Sequence, residues 1–138
     1  MIIADTNVVS EFMKDAPDPQ VLAWASGLGA AELTICVVTV EEIELGLGRL
    51  PAGKRRRGLE TRWRKLVEAF DEAIVVYDVP AAQQAARVLV EAAAGGRPVG
   101  LADAQIAGIC LAGGYQLATR NVRDFEAVAG LELINPFA

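Results

Sequence analysis

Five short, predominantly apolar runs do most to limit how this chain can fold. They span residues 2–5, 33–37, 73–77, 115–119 and 131–134, and helix-like stretches separate them. A strand covered on one face alternates apolar and polar residues, whereas one covered on both faces reads as a nearly continuous apolar run. Strands of the second kind, alternating with helices, predict an α/β fold: a mostly parallel five-stranded sheet flanked by helices. At 138 residues, 53% of them hydrophobic, residues 1–138 read as a single domain with a substantial core.

Local signals place the helices. Asp5 or Thr6 can cap a helix over 6–13, and Asp18-Pro19 opens a second. Thr39-Val40-Glu41-Glu42 matches the capping-box spacing and predicts a helix from there to about Leu50. After Pro51-Ala52-Gly53 comes a basic amphipathic helix to about Phe70. Asp78-Val79-Pro80 starts an alanine-rich helix that Gly95-Gly96 ends. Residues 101–111 form a helix whose small residues permit close packing, and residues 121–128 a short turn or helix. No apolar run approaches the roughly 18–20 residues that span a bilayer. The N-terminus has no basic segment ahead of its apolar residues. The expectation is a cytoplasmic protein with no signal peptide and no membrane partner.

Parallel strands place all their carboxyl ends on one edge of the sheet, where open α/β domains put their chemistry. Asp5 ends the first run, and Glu42, Asp103 and the pair Asn121 and Asp124 follow at similar junctions. Each has an ordinary explanation: helix capping for Asp5, the capping box for Glu42, and turn formation for Asn121 and Asp124. Glu41 and Glu44 compete with Glu42 for any role in a site. Asp103 is harder to explain away, because a carboxylate among Leu101, Ala102, Ala104 and Ile106 is costly to bury unless it is paired or coordinating. Carboxylates gathered on one edge repel one another unless a cation neutralises them. The chain has no histidine, and oxygen-only donors suit Mg or Mn better than Zn. Such an ion supports phosphodiester hydrolysis without a histidine base. Cys36 and Cys110 lack metal-binding spacing and read as buried, reduced thiols.

The net charge of −5 argues against a nucleic-acid partner, but its distribution does not. Eight of the thirteen basic residues lie between Arg49 and Lys65, with only Glu60 as an acid among them. A basic stripe that includes Lys54, Arg55, Arg56 and Arg57, beside an acidic pocket, suits an enzyme acting on a polyanion; a solvated helix face is the plain alternative.

Four segments in order, Met1 to Glu11, Val38 to Ile43, Leu101 to Ala107 and Ala118 to Phe125, resemble the motifs of PIN-domain ribonucleases. The resemblance covers essentially the whole chain and is strongest to VapC toxins of type II toxin–antitoxin systems, in their FitB-like branch. It implies that Asp5, Glu42 and Asp103 bind Mg or Mn as the catalytic acids, with Thr6 or Asn7 orienting water or substrate. The family's fourth polar position falls on Asn121, where some members carry Asp. An amide brings no charge, so either three acids suffice or Asp124 contributes. The resemblance further implies an RNA substrate, tRNA among the candidates, a homodimer, and a cognate antitoxin that holds the toxin inactive. The basic stretch would then guide RNA or belong to the antitoxin or dimer interface.

Other readings are weaker. The glycine fingerprint of a dinucleotide-binding domain is missing after the first strand, where Asp5-Thr6-Asn7 stands. A haloacid-dehalogenase phosphatase would need an acid at Asn7. A phospho-receiver would need a Lys where Asn135-Pro136 follows the last strand. The remaining rival is a non-catalytic PIN-like module that binds RNA or protein.

Overall fold

Ile2, Ile3 and Ala4 are buried and form β1 (Ile2–Ala4), the strand against which two others pair. In the computed structural model, which describes residues 1–138, β2 (Leu33–Thr34) lies on one side of β1 and β3 (Gln116–Ala118) on the other. β4 (Leu133–Ile134) follows, giving the order β2-β1-β3-β4 with every pairing parallel. Ile3 pairs with Thr34 and Leu117, and Ala4 with Ala118. The chain runs from β1 to β2 on one side and later returns to β3 on the other, so the order reverses at β1. That reversal opens a crevice at the strands' carboxyl ends.

Alternate residues of β1 serve opposite faces, as the two-residue period of a strand requires. Ile2 and Ala4 join Val8 and Val9 of α1 (Thr6–Phe12), Ile43 and Leu47 of α3 (Val37–Gly48) and Trp63 of α4 (Lys54–Phe70). Ile3 joins the opposite core, with Ala81 and Val88 of α5 (Val79–Ala94) and Ala104, Ile106, Ala107 and Ile109 of α6 (Leu101–Gly113). α2 (Pro19–Ser26) is capped by the Asp18 side chain, and α7 (Val122–Phe125) is a single turn that buries Phe125. No helix is long and apolar enough to cross a membrane.

Two expectations need correction. The sheet has four strands, not five, because residues 73–77 form none. Asp71–Ala73 is taken up by a 3-10 turn, and Asp78 already caps α5. Between them only Val75 bridges in parallel to Cys36, through Val75 N–H to Ile35 O at 3.0 Å and Val37 N–H to Val75 O at 2.9 Å. The capping box does not form either. α3 starts at Val37 behind Cys36, so Thr39 lies inside the first turn and Glu42 almost a turn further on. Glu42 is thereby free of the capping role that its spacing suggested.

Candidate active site

Asp5 stands at the carboxyl end of β1, tied to the neighbouring strand by its N–H to Ala118 O at 2.9 Å. The residue is only 5% exposed, and its side chain accepts from the Val8 N–H at 3.0 Å, so it caps α1 at the edge of the crevice. Burial pushes its carboxyl above the usual range; the Thr119 hydroxyl and the Val8 and Asn7 N–H groups pull it back, and the charge of Glu42 raises it again.

Asp103, in the first turn of α6, is half-buried. Burial raises its carboxyl most, followed by the charges of Glu42, Asp124 and Asp5 in that order, and nothing acts in the other direction. Elements far apart in sequence, β1, α3, α6 and α7, thus deliver four acids into one field.

A domain model for the PIN domain matches residues 2–131. The chain belongs to the PIN-domain family. The VapC ribonuclease Y4jK of Sinorhizobium fredii is 38% identical over 99% of this chain and 98% of its own length. The toxin FitB of Neisseria gonorrhoeae is 31% identical, with 99% of each chain covered. The crystal structure of FitAcB from Neisseria gonorrhoeae contains a chain that matches with a TM-score of 0.90 at 30% identity, covering 99% of both. This PIN domain therefore sits among VapC- and FitB-type proteins.

Within the PIN fold the competition among three glutamates has a geometric outcome. Glu44 accepts from the Trp63 indole N–H at 2.5 Å, which turns it toward α4, and Glu41 is exposed. Glu42 is half-buried, accepts from the Thr6 hydroxyl at 2.5 Å, and is the glutamate whose charge reaches Asp5 and Asp103. Thr39 Oγ1 lies 3.3 Å from Thr6 Oγ1, and the Cys36 sulfur is 3.9 Å from Thr39. A chain of polar groups therefore runs from the start of α3 to the Glu42 carboxylate.

Asn7 is exposed at the mouth of the crevice. Asn121 is also exposed; its side chain makes no capping bond, and its N–H donates to Thr119 Oγ1 at 3.0 Å. Asp124 is exposed, so it acts on Asp103 by charge from the rim. Sequence reasoning gave Thr39 only a capping role and overlooked Thr119; both are fully buried and touch the acids or their partners. A hydroxyl at the end of an apolar strand, just before Arg120-Asn121, was the available signal for Thr119.

The donor set fits a hard divalent cation: carboxylates only, with Asp103 raised by three like charges and no basic group opposing them. No three of the acids stand close enough together to form a ready-made chelating group. The set suits an ion that keeps part of its water shell, as Mg does.

Proposed function

We propose that this PIN domain, over residues 1–138, is a metal-dependent endoribonuclease toxin that a cognate antitoxin neutralises. The observation that carries the reading is the field at Asp103, whose carboxyl is raised by burial and by the charges of Glu42, Asp124 and Asp5 with no basic group opposing them. Its likeness to a protein named VapC ribonuclease and to one named toxin FitB supports the same conclusion. tRNA is among the substrates that the likeness allows. A homodimer, the antitoxin and a cytoplasmic setting come with the same family reading.

Asp5, Glu42 and Asp103 would hold Mg or Mn. The ion, when bound, supplies the positive charge and the acidified water that phosphodiester hydrolysis needs in a protein without histidine. The chain's own residues do the rest. Thr6 fixes the Glu42 carboxylate, and Thr39 backs Thr6 from inside α3. Asp5 is held by its own helix terminus and by Thr119. Asn7 and Asn121 present exposed amides to substrate, and Asp124 adds charge from the rim.

The test is cleavage of a mixed RNA pool with Mg or Mn, with EDTA, and by Asp5→Asn. Asn is as good a helix N-cap as Asp, so the variant keeps α1 and removes only the charge. Cutting should require metal and fall by about 10²–10³-fold or more in the variant, the scale seen when a group stabilising developing charge is removed. Undiminished cutting by Asp5→Asn sinks the assignment. No cutting by folded, antitoxin-free protein with any metal leaves the non-catalytic binding module.

A further inference from the structure

The basic residues that sequence groups together differ in whether they are already paired. Arg62 donates to Met13 O at 2.8 Å and pairs with Asp15, holding α4 to the end of α1. Arg56 donates to Glu60 at 3.2 Å and to Leu50 O at 3.1 Å, holding the preceding loop. Arg64 lies on another face, beside Glu44 and Trp63. Lys54, Arg55 and Arg57 make no ion pair at all.

Those three free cations line one open groove of about 820 Å³, together with Lys14 from just beyond α1 and the Arg62–Asp15 pair, in which Arg62 offsets the one carboxylate of the lining. A second cleft of about 310 Å³ contains Thr6 and Glu42 of the acid site. Lys14, Arg55 and Leu59 line both, so the cationic groove runs directly into the acidic crevice. Lys14 is paired with Glu11 at 2.9 Å, yet its side chain remains 58% exposed.

We infer that this groove is a phosphate track, which delivers single-stranded RNA to the acid site by its backbone alone and without regard to base. The inference rests on the nuclease reading above and adds the path of its substrate. Leu59 is the sole hydrophobic residue of the larger groove, and no aromatic lines either cleft. Without an aromatic platform, bases lose their main stacking surface, and the arginine planes that remain stack on any base alike. A protein segment would want apolar pockets for its anchoring side chains; the larger groove has none, and the apolar residues Met13, Ile43 and Leu47 are confined to the smaller cleft at the acid site. A string of phosphates needs only spaced cations, which position a nucleic acid without reading it. Sequence choice must then be made by the rim of the acid site.

The experiment measures binding of short oligouridine and oligoadenosine to the full chain in EDTA across a salt series. Wild type is compared with R55Q/R57Q, and with R64Q/K65Q as a control of equal charge change away from the groove. The track pair should flatten the slope of log K against log salt by about 1.4, at roughly 0.7 per phosphate contact on a single strand. The loss should be the same for both sequences, and the control should leave the slope in place. Equal losses in both pairs, or a loss confined to one base, overturns the track. A dependence on Arg55 and Arg57 seen with an oligoglutamate peptide but not with RNA assigns the groove to a protein partner and overturns it as well. Because EDTA uncouples binding from cleavage, the two readings fail separately. A normal track with no metal-dependent cutting defeats only the nuclease reading. Metal-dependent cutting with an unchanged salt slope defeats only the track.

Discussion

α6 buries six of its residues, from Ala104 to Cys110, and shows the crevice one carboxylate from its first turn. α4 is longer, buries only Trp63 and carries its cations on a solvated face. The first is a rigid mount for a charge that must stay where it is; the second is an adaptable surface whose long side chains can follow a ligand. The rigidity has a specific source. Gly108 lets α6 approach α5 so closely that an added Cβ would lie 2.5 Å from Ala81 O and 2.8 Å from Ala85 N. Those are backbone atoms, which cannot swing aside as a side chain would. The solvated face of α4 has no equivalent: a Cβ at Gly58 would meet nothing within 4 Å.

The largest expected effect breaks this contrast directly. Gly108→Ala should cost about 3 kcal/mol or more of unfolding free energy, at the upper end of overpacking in a well-filled core. Gly58→Ala should stabilise, by up to about 1 kcal/mol, from helix propensity alone. Urea unfolding of both variants measures the difference. Comparable small effects at the two sites would mean that α5 and α6 are not held as closely as described.

That close approach was only partly legible in the sequence. The small residues of 101–111 announced close packing, but the partner helix and the decisive position, Gly108, depend on tertiary placement. The same division recurs in the sheet. Strong local signals, Asp18-Pro19 and Asp78 before Pro80, gave helix starts that the structure keeps. The run at 73–77 has four strand formers in a row, Ile74, Val75, Val76 and Tyr77, yet the flanking helical segments leave room for one bridge. At the site, the four acids were legible only together, because each follows a strand end; singly, burial cost marked only Asp103, and Glu42 still competed with Glu41 and Glu44. The capping-box spacing at Thr39 misled, since the true cap is Cys36, a residue with no capping side chain to advertise it. Thr39 instead turns inward to Thr6, a contact between residues 33 positions apart that no local pattern encodes.

The second prediction sharpens the comparison on the acid side. Thr6→Val keeps the side chain's shape and removes the hydroxyl that donates to Glu42. Partners that orient a ligating carboxylate are typically worth 10–100-fold in metal affinity or activity. Metal-dependent cleavage should fall within about that range, with the unfolding midpoint little changed. Thr6→Ser should recover most of the loss. A serine variant as impaired as the valine one would show that the methyl group, through packing, matters more than the hydrogen bond.

The smallest effect asks whether α6 holds its charge against an energetic cost. Asp103 has a carboxyl raised by burial and by three acids, so the folded state binds its proton more tightly than the unfolded chain does. Between the ordinary carboxylate value and that raised value the native state carries the extra proton, and stability falls as pH rises through this interval. At neutral pH the metal-free protein bears the whole penalty. Asp103→Asn removes it, and should raise the unfolding free energy in EDTA at neutral pH. Below the carboxylate range, where the wild-type group is protonated, the gap should close. On the proposed function a divalent ion should then reverse the order at neutral pH, because ligand binding stabilises by about 2.7 kcal/mol at a hundredfold excess over Kd, and the variant would lack one of the three proposed ligands. Unfolding in EDTA and in Mg, at neutral and acid pH, covers all four corners. If Asp103→Asn were the less stable protein in EDTA, the carboxylate would be a structural asset of α6 and not a charge held in readiness for a cation.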